Sequence, residues 1–255
     1  MNEERPVGYT RRDWSEHYKR GRGFRRLGDE EKGLLVEHAP PPEDGRALDI
    51  GCGTGELAVY LTSLGYTVDG ADFAQGALER ARAEHAEVKG VRWLSLDAEL
   101  DDLAGLAEDG YDLIVLRLAI AFIRDRARVL RALAARLREG GALVIITPVV
   151  KNTPQERRHI ALDESELSAL TAGFEHSERF DAGGLAVLVL RGPAEKFSAE
   201  EKGRPEPQAV FGAAVVVTDA CRRGACWAAP PRACGNCPAA ASRQAKPHPR
   251  RPCGS

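Results

Sequence analysis

Short apolar runs alternate with longer amphipathic segments over most of the chain. Apolar runs bounded by turn residues are typical of buried parallel strands, and apolar residues three or four positions apart are typical of helices. The pattern predicts five strands and then a closing hairpin, over residues 46–50, 66–72, 91–97, 111–116, 142–147, 174–180 and 185–190. Because helical segments separate the first five strands, we expect an α/β fold with a parallel sheet and helices on both faces.

Capping residues locate several of the predicted helices. Residues 10–38 predict two polar helices separated by a glycine-containing break at residues 21–23, with Asp13 as the N-cap of the first. A third amphipathic helix is predicted over residues 125–138 and ends before a pair of glycines. Asp163 and Glu166 form a capping-box pattern ahead of a helix over residues 164–172.

The turn after the first predicted strand carries the strongest chemical signal. Gly51, Gly53 and Gly55 alternate along it, and a helix follows directly. Glycine lets a ligand approach the backbone closely, and the helix directs unpaired N–H groups at the same place, so the unit is typical of a nucleotide site. A dinucleotide fingerprint requires a third glycine where Glu56 stands. Asp49, just before the turn, suits a ligand that carries an ammonium group.

The run Asp-Ile-Gly-Cys-Gly-Thr-Gly at residues 49–55 resembles motif I of the class I S-adenosylmethionine-dependent methyltransferases. The resemblance extends over about residues 10–192, with later motifs in the expected order. It implies a Rossmann-like seven-stranded sheet whose last strand is antiparallel, an N-terminal helical lid over residues 1–38 and a methyltransferase domain over residues 39–193. It also implies that S-adenosyl-L-methionine is the cofactor.

The resemblance assigns further cofactor contacts to the ends of later strands. Asp72, at the tip of the second strand, is expected to bind the ribose diol, and Asp69 is the competing acid. Asp97 and the Ala98 backbone are expected to bind the adenine amino group. The full expected cofactor set is Asp49, Gly51, Cys52, Gly53, Gly55, Asp72, Phe73, Asp97, Ala98 and Leu116.

The methyl acceptor is less clearly indicated. Relatives of this class often carry an N-terminal W-x-x-x-Y pattern that covers the cofactor, which Trp14 and Tyr18 match, although ordinary packing explains them as well. The lid and acceptor candidates are Trp14, His17, Tyr18, Arg117 and His159. No catalytic residue and no metal site are assigned. Residues 117–122 lack the N/D-P-P-Y signature of enzymes that methylate adenine or glutamine amides, which favours a small-molecule acceptor over nucleic acid.

Charge and cysteine are unevenly distributed along the 255 residues. The net charge is −2, but residues 221–255 contain seven Lys or Arg and no Asp or Glu, so the remainder of the chain is acidic. Cys52 is separated from five cysteines in that last segment. The charged N-terminus is unlike a signal peptide, and no apolar run is long enough to span a bilayer. We therefore expect a cytoplasmic protein without membrane contact, and the sequence carries no signal of oligomeric state.

The sequence after the methyltransferase-like region indicates that the last part of the chain has a different origin. After a linker at residues 194–208, residues 209–220 resemble the opening strand of a Nudix hydrolase domain, and residues 221–255 have no hydrophobic period. Read one register over, with codons chosen for a GC-rich genome, residues 232–245 can encode a Nudix-like second strand and the start of a glycine-led catalytic box. A frameshifted, disordered tail without hydrolase activity is the resulting hypothesis. A zinc site is disfavoured because Cys234 and Cys237 form a single Cys-x-x-Cys pair.

Two other function classes remain open at this point. A nicotinamide-dependent oxidoreductase would share the fold but lacks the third glycine. A non-catalytic, regulatory protein could retain the fold and bind S-adenosylmethionine without turnover.

Overall fold

The computed structural model describes residues 10–193. These residues form seven strands: β1 Arg46–Ile50, β2 Thr67–Asp72, β3 Val91–Ser95, β4 Tyr111–Arg117, β5 Leu137–Pro148, β6 Phe174–Ala182 and β7 Leu185–Pro193. They also form six α-helices: α1 Arg11–Lys19, α2 Asp29–His38, α3 Glu56–Leu64, α4 Gln75–Glu84, α5 Arg126–Ala134 and α6 Glu164–Thr171. The predicted linker, Nudix-like strand and cysteine-rich tail at residues 194–255 lie outside the described residues, as do residues 1–9 of the predicted lid.

The strands form one sheet in the order β3-β2-β1-β4-β5-β7-β6. The pairs from β3 to β5 are parallel, and β7 runs antiparallel to both of its neighbours. The predicted seven-stranded sheet with an antiparallel last strand is therefore confirmed. The strand order reverses between β1 and β4, and ligands of open α/β sheets bind in the crevice at such a point.

Both faces of the sheet are buried, and β4 shows how the sequence achieves this. Leu113 and Val115 point to one face and pack in a core with residues of α2 and α3. Ile114 and Leu116 point to the other face and pack with residues of α5 and α6. All four side chains are fully buried. A strand covered on both faces needs an unbroken apolar run, which is the pattern that predicted it.

The helix predicted over residues 125–138 is shorter than expected. It ends at Ala134, and β5 begins at Leu137, five positions before the predicted strand. The Tyr111 amide donates to the Arg136 carbonyl over 2.9 Å, and Tyr111 pairs with Leu137 across a register shift. Leu137 fits the helical period of α5, but pairing with β4 decides its conformation, because a period of apolar residues does not include tertiary hydrogen bonds.

Helix caps were predicted correctly in one case and wrongly in another. Asp163 caps α6 and Glu166 completes the capping box, as predicted. Asp13 is not the N-cap of α1. Thr10 is the N-cap, and Asp13 lies at the third helical position, where its carboxylate accepts the Thr10 amide over 2.8 Å. A capping box contains two polar residues three apart, and the prediction chose the second.

Helix α1 lies directly on α4. The Gly76 amide donates to the Ser15 hydroxyl over 2.9 Å, and a Cβ on Gly76 would collide with the Ser15 carbonyl oxygen. The Arg80 guanidinium donates to the carbonyl oxygens of Tyr18 and Arg22 over 3.3 and 2.7 Å. These contacts hold the N-terminal helix over the start of α4, at the carboxyl end of the sheet.

Helix α2 and the segment before it are held by Arg117, at the end of β4. Its guanidinium pairs with the Glu31 carboxylate over 2.7 and 3.1 Å and donates to the carbonyl oxygens of Arg25 and Arg26 over 2.9 and 2.8 Å. The two charged side chains are only 10% and 1% exposed. Arg117 was a candidate for contacting the acceptor, but the structure uses its donors to anchor the chain between α1 and α2.

We predict that Glu31→Gln lowers the free energy of unfolding of the full chain by about 3–5 kcal/mol, because breaking a buried ion pair leaves the partner charge uncompensated. Urea denaturation measures the change. Glu37→Gln, on the exposed side of the same helix, is the matched control and should alter stability by less than about 0.5 kcal/mol. Equal stability of the two variants would show that the Arg117–Glu31 pair contributes nothing.

Candidate functional site

A large cavity opens where the carboxyl ends of β1 and β4 meet. Its volume is about 1480 Å³, and it extends from the glycine turn after β1 to α1 and the segment that follows α1. Pockets for a single drug-sized ligand usually measure about 300–1,000 Å³. The cavity is therefore large enough for a nucleoside-type cofactor together with a second small molecule.

The glycine turn forms the floor of this cavity. All three glycines have positive φ angles, of 71° at Gly51, 56° at Gly53 and 87° at Gly55. The amides of Gly51 and Cys52 donate to the Ala71 carbonyl over 2.8 and 3.1 Å, which ties the turn to β2. A side chain in this turn would be strained, because L-residues rarely adopt such φ angles.

The three glycines do not share one role. Gly51 and Gly53 line the cavity, and the Tyr18 hydroxyl lies 2.9 Å from the position that a Cβ on Gly53 would take. Gly55 does not line the cavity. The Trp93 indole of β3 covers it and leaves no room for a side chain. Gly55 was expected in the cofactor set, but its contact in the structure is with Trp93.

Asp49 is a buried acid at the end of β1 and lines the cavity. Its side chain is 1% exposed, and its Oδ2 atom has no hydrogen-bond partner among the described residues. Burial raises the pKa of this carboxyl to about 7, against the opposing effect of the Arg117 charge, while the nearby Asp72 raises it further and a hydrogen bond from the Ala58 backbone lowers it. An unpartnered buried oxygen is costly, so it indicates a missing positive or hydrogen-bonding ligand.

The two acids of β2, Asp69 and Asp72, lie in different surroundings. Asp72 lines the cavity, where its two carboxylate oxygens accept the amides of Gly53 and Ala74 over 2.9 and 2.8 Å. Burial raises its pKa despite these bonds. Asp69 lies away from the cavity, held by Arg92 over 2.7 and 2.8 Å and by the Tyr111 hydroxyl over 2.6 Å. Of the two competing acids, Asp72 alone is placed to meet a ligand.

The loop after β3 closes the cavity on the far side of Asp72. Asp97 and Ala98 line it, together with Phe73 at the end of β2. The Asp97 side chain is 17% exposed, with Arg11 at 3.6 Å, and its Oδ1 atom accepts the Glu99 amide over 3.0 Å. One more carboxylate therefore borders the part of the cavity that contains Asp49 and Asp72.

Aromatic side chains from two distant segments form the opposite wall. The Trp14 ring packs edge-on against Phe122, with 5.2 Å between centroids, and lies tilted against Phe24, with 5.4 Å between centroids. All three line the cavity, as does Tyr18. His17 packs against Trp14 at 5.3 Å but does not line the cavity. Its Nε2 atom is buried without a partner among the described residues, and burial lowers its pKa.

The cavity brings together most of the side chains that the sequence selected. The members of both predicted sets that line it are Asp49, Gly51, Cys52, Gly53, Asp72, Phe73, Asp97, Ala98, Trp14, Tyr18, Arg117 and His159. Leu116 does not, because it is fully buried in the core. The sequence interpretation missed Leu118, which lines the cavity with a φ angle of 56°. No sequence signal marks it, since a bulky residue in this conformation is held there only by its surroundings.

Metal-binding clusters and membrane-spanning helices are both absent from the described part of the chain. No group of three or more His, Cys, Asp or Glu is placed to hold a metal ion among residues 10–193. Within the same range, no helix is long and apolar enough to cross a membrane.

Comparison with known proteins agrees with this architecture. Residues 48–143 match the sequence model of a family described as "Methyltransferase domain". The chain is 30% identical over 179 residues to methyltransferase GfsG of Streptomyces halstedii. The aligned region covers 66% of this chain and 60% of that protein. It is 33% identical over 121 residues to aklanonic acid methyltransferase DauC of Streptomyces sp. strain C5, covering 46% and 54% of the two chains. The match thus spans a little over half the length of each relative.

Solved structures share the fold at lower sequence identity. The CcbJ methyltransferase of Streptomyces caelestis aligns with a TM-score of 0.58 and 18% identity, over 73% of this chain and 100% of that chain. The YcgJ protein of Bacillus subtilis aligns with a TM-score of 0.51 and 22% identity, over 59% and 70%. The sheet order and these structural similarities show that the described residues have the class I methyltransferase fold, and residues 48–143 within it are similar to a methyltransferase domain.

Proposed function

We propose that this protein transfers a methyl group from S-adenosylmethionine to a small-molecule acceptor. The observation that carries the proposal is the Asp49 carboxylate, which is buried at the glycine turn with one oxygen unpartnered among the described residues and faces a cavity large enough for cofactor and acceptor. The similarity of residues 48–143 to a methyltransferase domain supports the same conclusion.

The side chains around the glycine turn and the ends of β2 and β3 fit S-adenosylmethionine. Asp49 would accept hydrogen bonds from its ammonium group, Asp72 from the ribose diol and Asp97 from the adenine amino group. Each is an acceptor meeting a donor, and the acids suit a ligand that carries two positive charges. The same acids would repel the pyrophosphate of a nicotinamide cofactor, and Glu56 at the helix start adds to that repulsion. The oxidoreductase alternative is therefore disfavoured.

When bound, S-adenosylmethionine supplies an electrophilic methyl group on a sulfonium. The contribution of the chain is to hold the two reactants in line and to keep water out, effects worth up to about 7–11 kcal/mol in well-oriented systems. Trp14, Tyr18 and Phe122, which line the cavity, would cover the reacting groups. We assign no side chain as proton acceptor, since a phenol or amine acceptor can lose its proton to solvent after transfer.

Calorimetry with S-adenosylmethionine and its demethylated product, followed by a turnover assay on metabolite extracts with labelled cofactor, tests the proposal. We expect binding of both compounds, transfer of label to a small molecule, and an affinity loss of about 10- to 150-fold in Asp72→Ala from lost charge-assisted hydrogen bonds. Glu87→Ala, an exposed acid between α4 and β3 that does not line the cavity, is the control. Binding without transfer would favour a regulatory protein, and absence of binding would contradict the proposal.

The raised pKa of Asp49 predicts a pH-dependent affinity. The cofactor ammonium needs the ionised carboxylate, so protons compete with the ligand below the free-protein pKa of about 7. The affinity should therefore change little between pH 7.5 and 7 and fall below pH 7, approaching tenfold per pH unit by pH 5.5. Asp49→Asn should bind more weakly and with a flatter profile. Parallel profiles for the two proteins would assign the pH dependence to the ligand or to another group.

Docking of α1 on α4 should be required for turnover. Gly76→Ala places a methyl group against the Ser15 carbonyl and forces α1 away without altering a cavity residue. We expect a reduced turnover rate with the sheet still folded, as judged by circular dichroism. Gly33→Ala in α2 is the matched control, because a Cβ there meets nothing within 4 Å and should only favour the helix. Equal turnover in both variants would show that α1 is not a lid.

A further inference from the structure

Carboxylates and arginines both line the cavity. Eight arginines do so: Arg11, Arg25, Arg26, Arg80, Arg117, Arg124, Arg126 and Arg128. Some of them lie near the acids, since Arg11 is 3.6 Å from Asp97 and the Arg117 charge acts on Asp49. An arginine that pairs with no other group of the described residues is the kind that can bind an anionic ligand.

Six of these guanidiniums bind other parts of the chain. Arg117 and Arg80 hold the N-terminal segment, as described above. Arg126 donates to the Ile120 carbonyl and pairs with Glu166, and Arg25 donates to the Gly183 carbonyl. Arg128 and Arg11 lie beside Asp125 and Asp97, respectively. These six charges are largely engaged in maintaining the fold.

Arg26 and Arg124 differ from the other six. Their backbones are held firmly, since the Arg26 carbonyl accepts from Arg117 over 2.8 Å and the Arg124 amide donates to Glu99 over 2.9 Å. Their guanidiniums make no hydrogen bond or ion pair with any of residues 10–193. Two fixed positions thus present two unused, exposed cations to the same cavity.

Both arginines lie close in the sequence to a residue of the aromatic wall. Arg26 follows Phe24 by two positions and Arg124 follows Phe122 by two, and the Phe24 and Phe122 rings are 6.4 Å apart. Phe24 is 38% exposed and Leu100, also on the cavity, is 81% exposed. Exposed apolar side chains next to unpaired guanidiniums are suited to a ligand with an apolar body and an anionic group.

We propose that the methyl acceptor is an anionic molecule with an apolar body, whose carboxylate or phosphate binds Arg26 and Arg124 while its body lies on Trp14, Phe24 and Phe122. This inference rests on the proposed function, because it assigns the second ligand of the same cavity. The guanidinium fork matches carboxylate and phosphate oxygens equally well, so the geometry specifies the shared anionic chemistry. Asp49 and Asp72 would disfavour binding of the anion beside the glycine turn.

Matched probes test this proposal on the full-length protein saturated with the demethylated cofactor. The carboxylate pair is 4-hydroxybenzoate with 4-hydroxybenzamide, and the phosphate pair is phenyl phosphate with its neutral dimethyl ester. Calorimetry should give an affinity at least tenfold higher for an anion than for its neutral partner. The pair that shows the larger difference distinguishes carboxylate from phosphate. Raising the salt concentration should reduce the difference.

Arginine variants test whether Arg26 and Arg124 cause the preference for an anionic probe. Arg26→Gln and Arg124→Gln should each reduce the anion preference, and the double variant should abolish it while retaining affinity for the demethylated cofactor. Arg157→Gln is the control, because Arg157 is exposed nearby but does not line the cavity. Equal binding of anionic and neutral probes, no binding of any probe, or an unchanged preference in the double variant would overturn the inference. Loss of cofactor binding in the parent protein would instead contradict the proposed function.

Discussion

The Arg117 guanidinium is the interaction on which the arrangement of this domain most depends. It stands at the carboxyl end of β4, next to the strand order reversal, and binds the buried Glu31 carboxylate of α2 together with two carbonyl oxygens of the preceding segment. The same charge opposes the burial that raises the pKa of Asp49. One side chain thus joins the sheet, the N-terminal segment and the electrostatics of the cavity floor. Lysine could not replace it, because a single ammonium lacks the planar fork.

The cavity combines features that would be unfavourable in an ordinary core. Asp49 and Asp72 are both nearly fully buried, and the Asp72 charge adds to the cost of ionising Asp49. Leu118 has a left-handed backbone conformation beside them. Such costs are retained where a ligand offsets them: the ammonium group of the proposed cofactor would pair with Asp49, and its ribose hydroxyls would donate to Asp72. The same cavity also presents apolar rings and two arginines, Arg26 and Arg124, that have no partner among the described residues.

The N-terminal helix places residues at both proposed ligand sites. Its backbone packs so closely on α4 that only glycine fits at position 76, while Tyr18 reaches over Gly53 and Trp14 joins the aromatic wall. A helix that contacts both proposed ligand sites can couple them, because displacing it exposes cofactor and acceptor together. The similarity of the turn at residues 49–55 to known methyltransferases describes only the cofactor site in this arrangement.

The sequence by itself determined the class of fold and the floor of the cavity. Apolar runs without polar interruption, such as Leu113–Leu116, are typical of strands covered on both faces, and glycines at alternate positions after a strand are typical of a turn with positive φ angles. Those signals are local, so they can be seen along the chain. Only the tertiary structure decided that Trp93 covers Gly55, that Arg117 holds Glu31 and that Phe24 meets Phe122, since each contact joins segments at least 38 residues apart. The ends of elements also depended on distant partners, as Leu137 shows by joining β4 instead of continuing its helix.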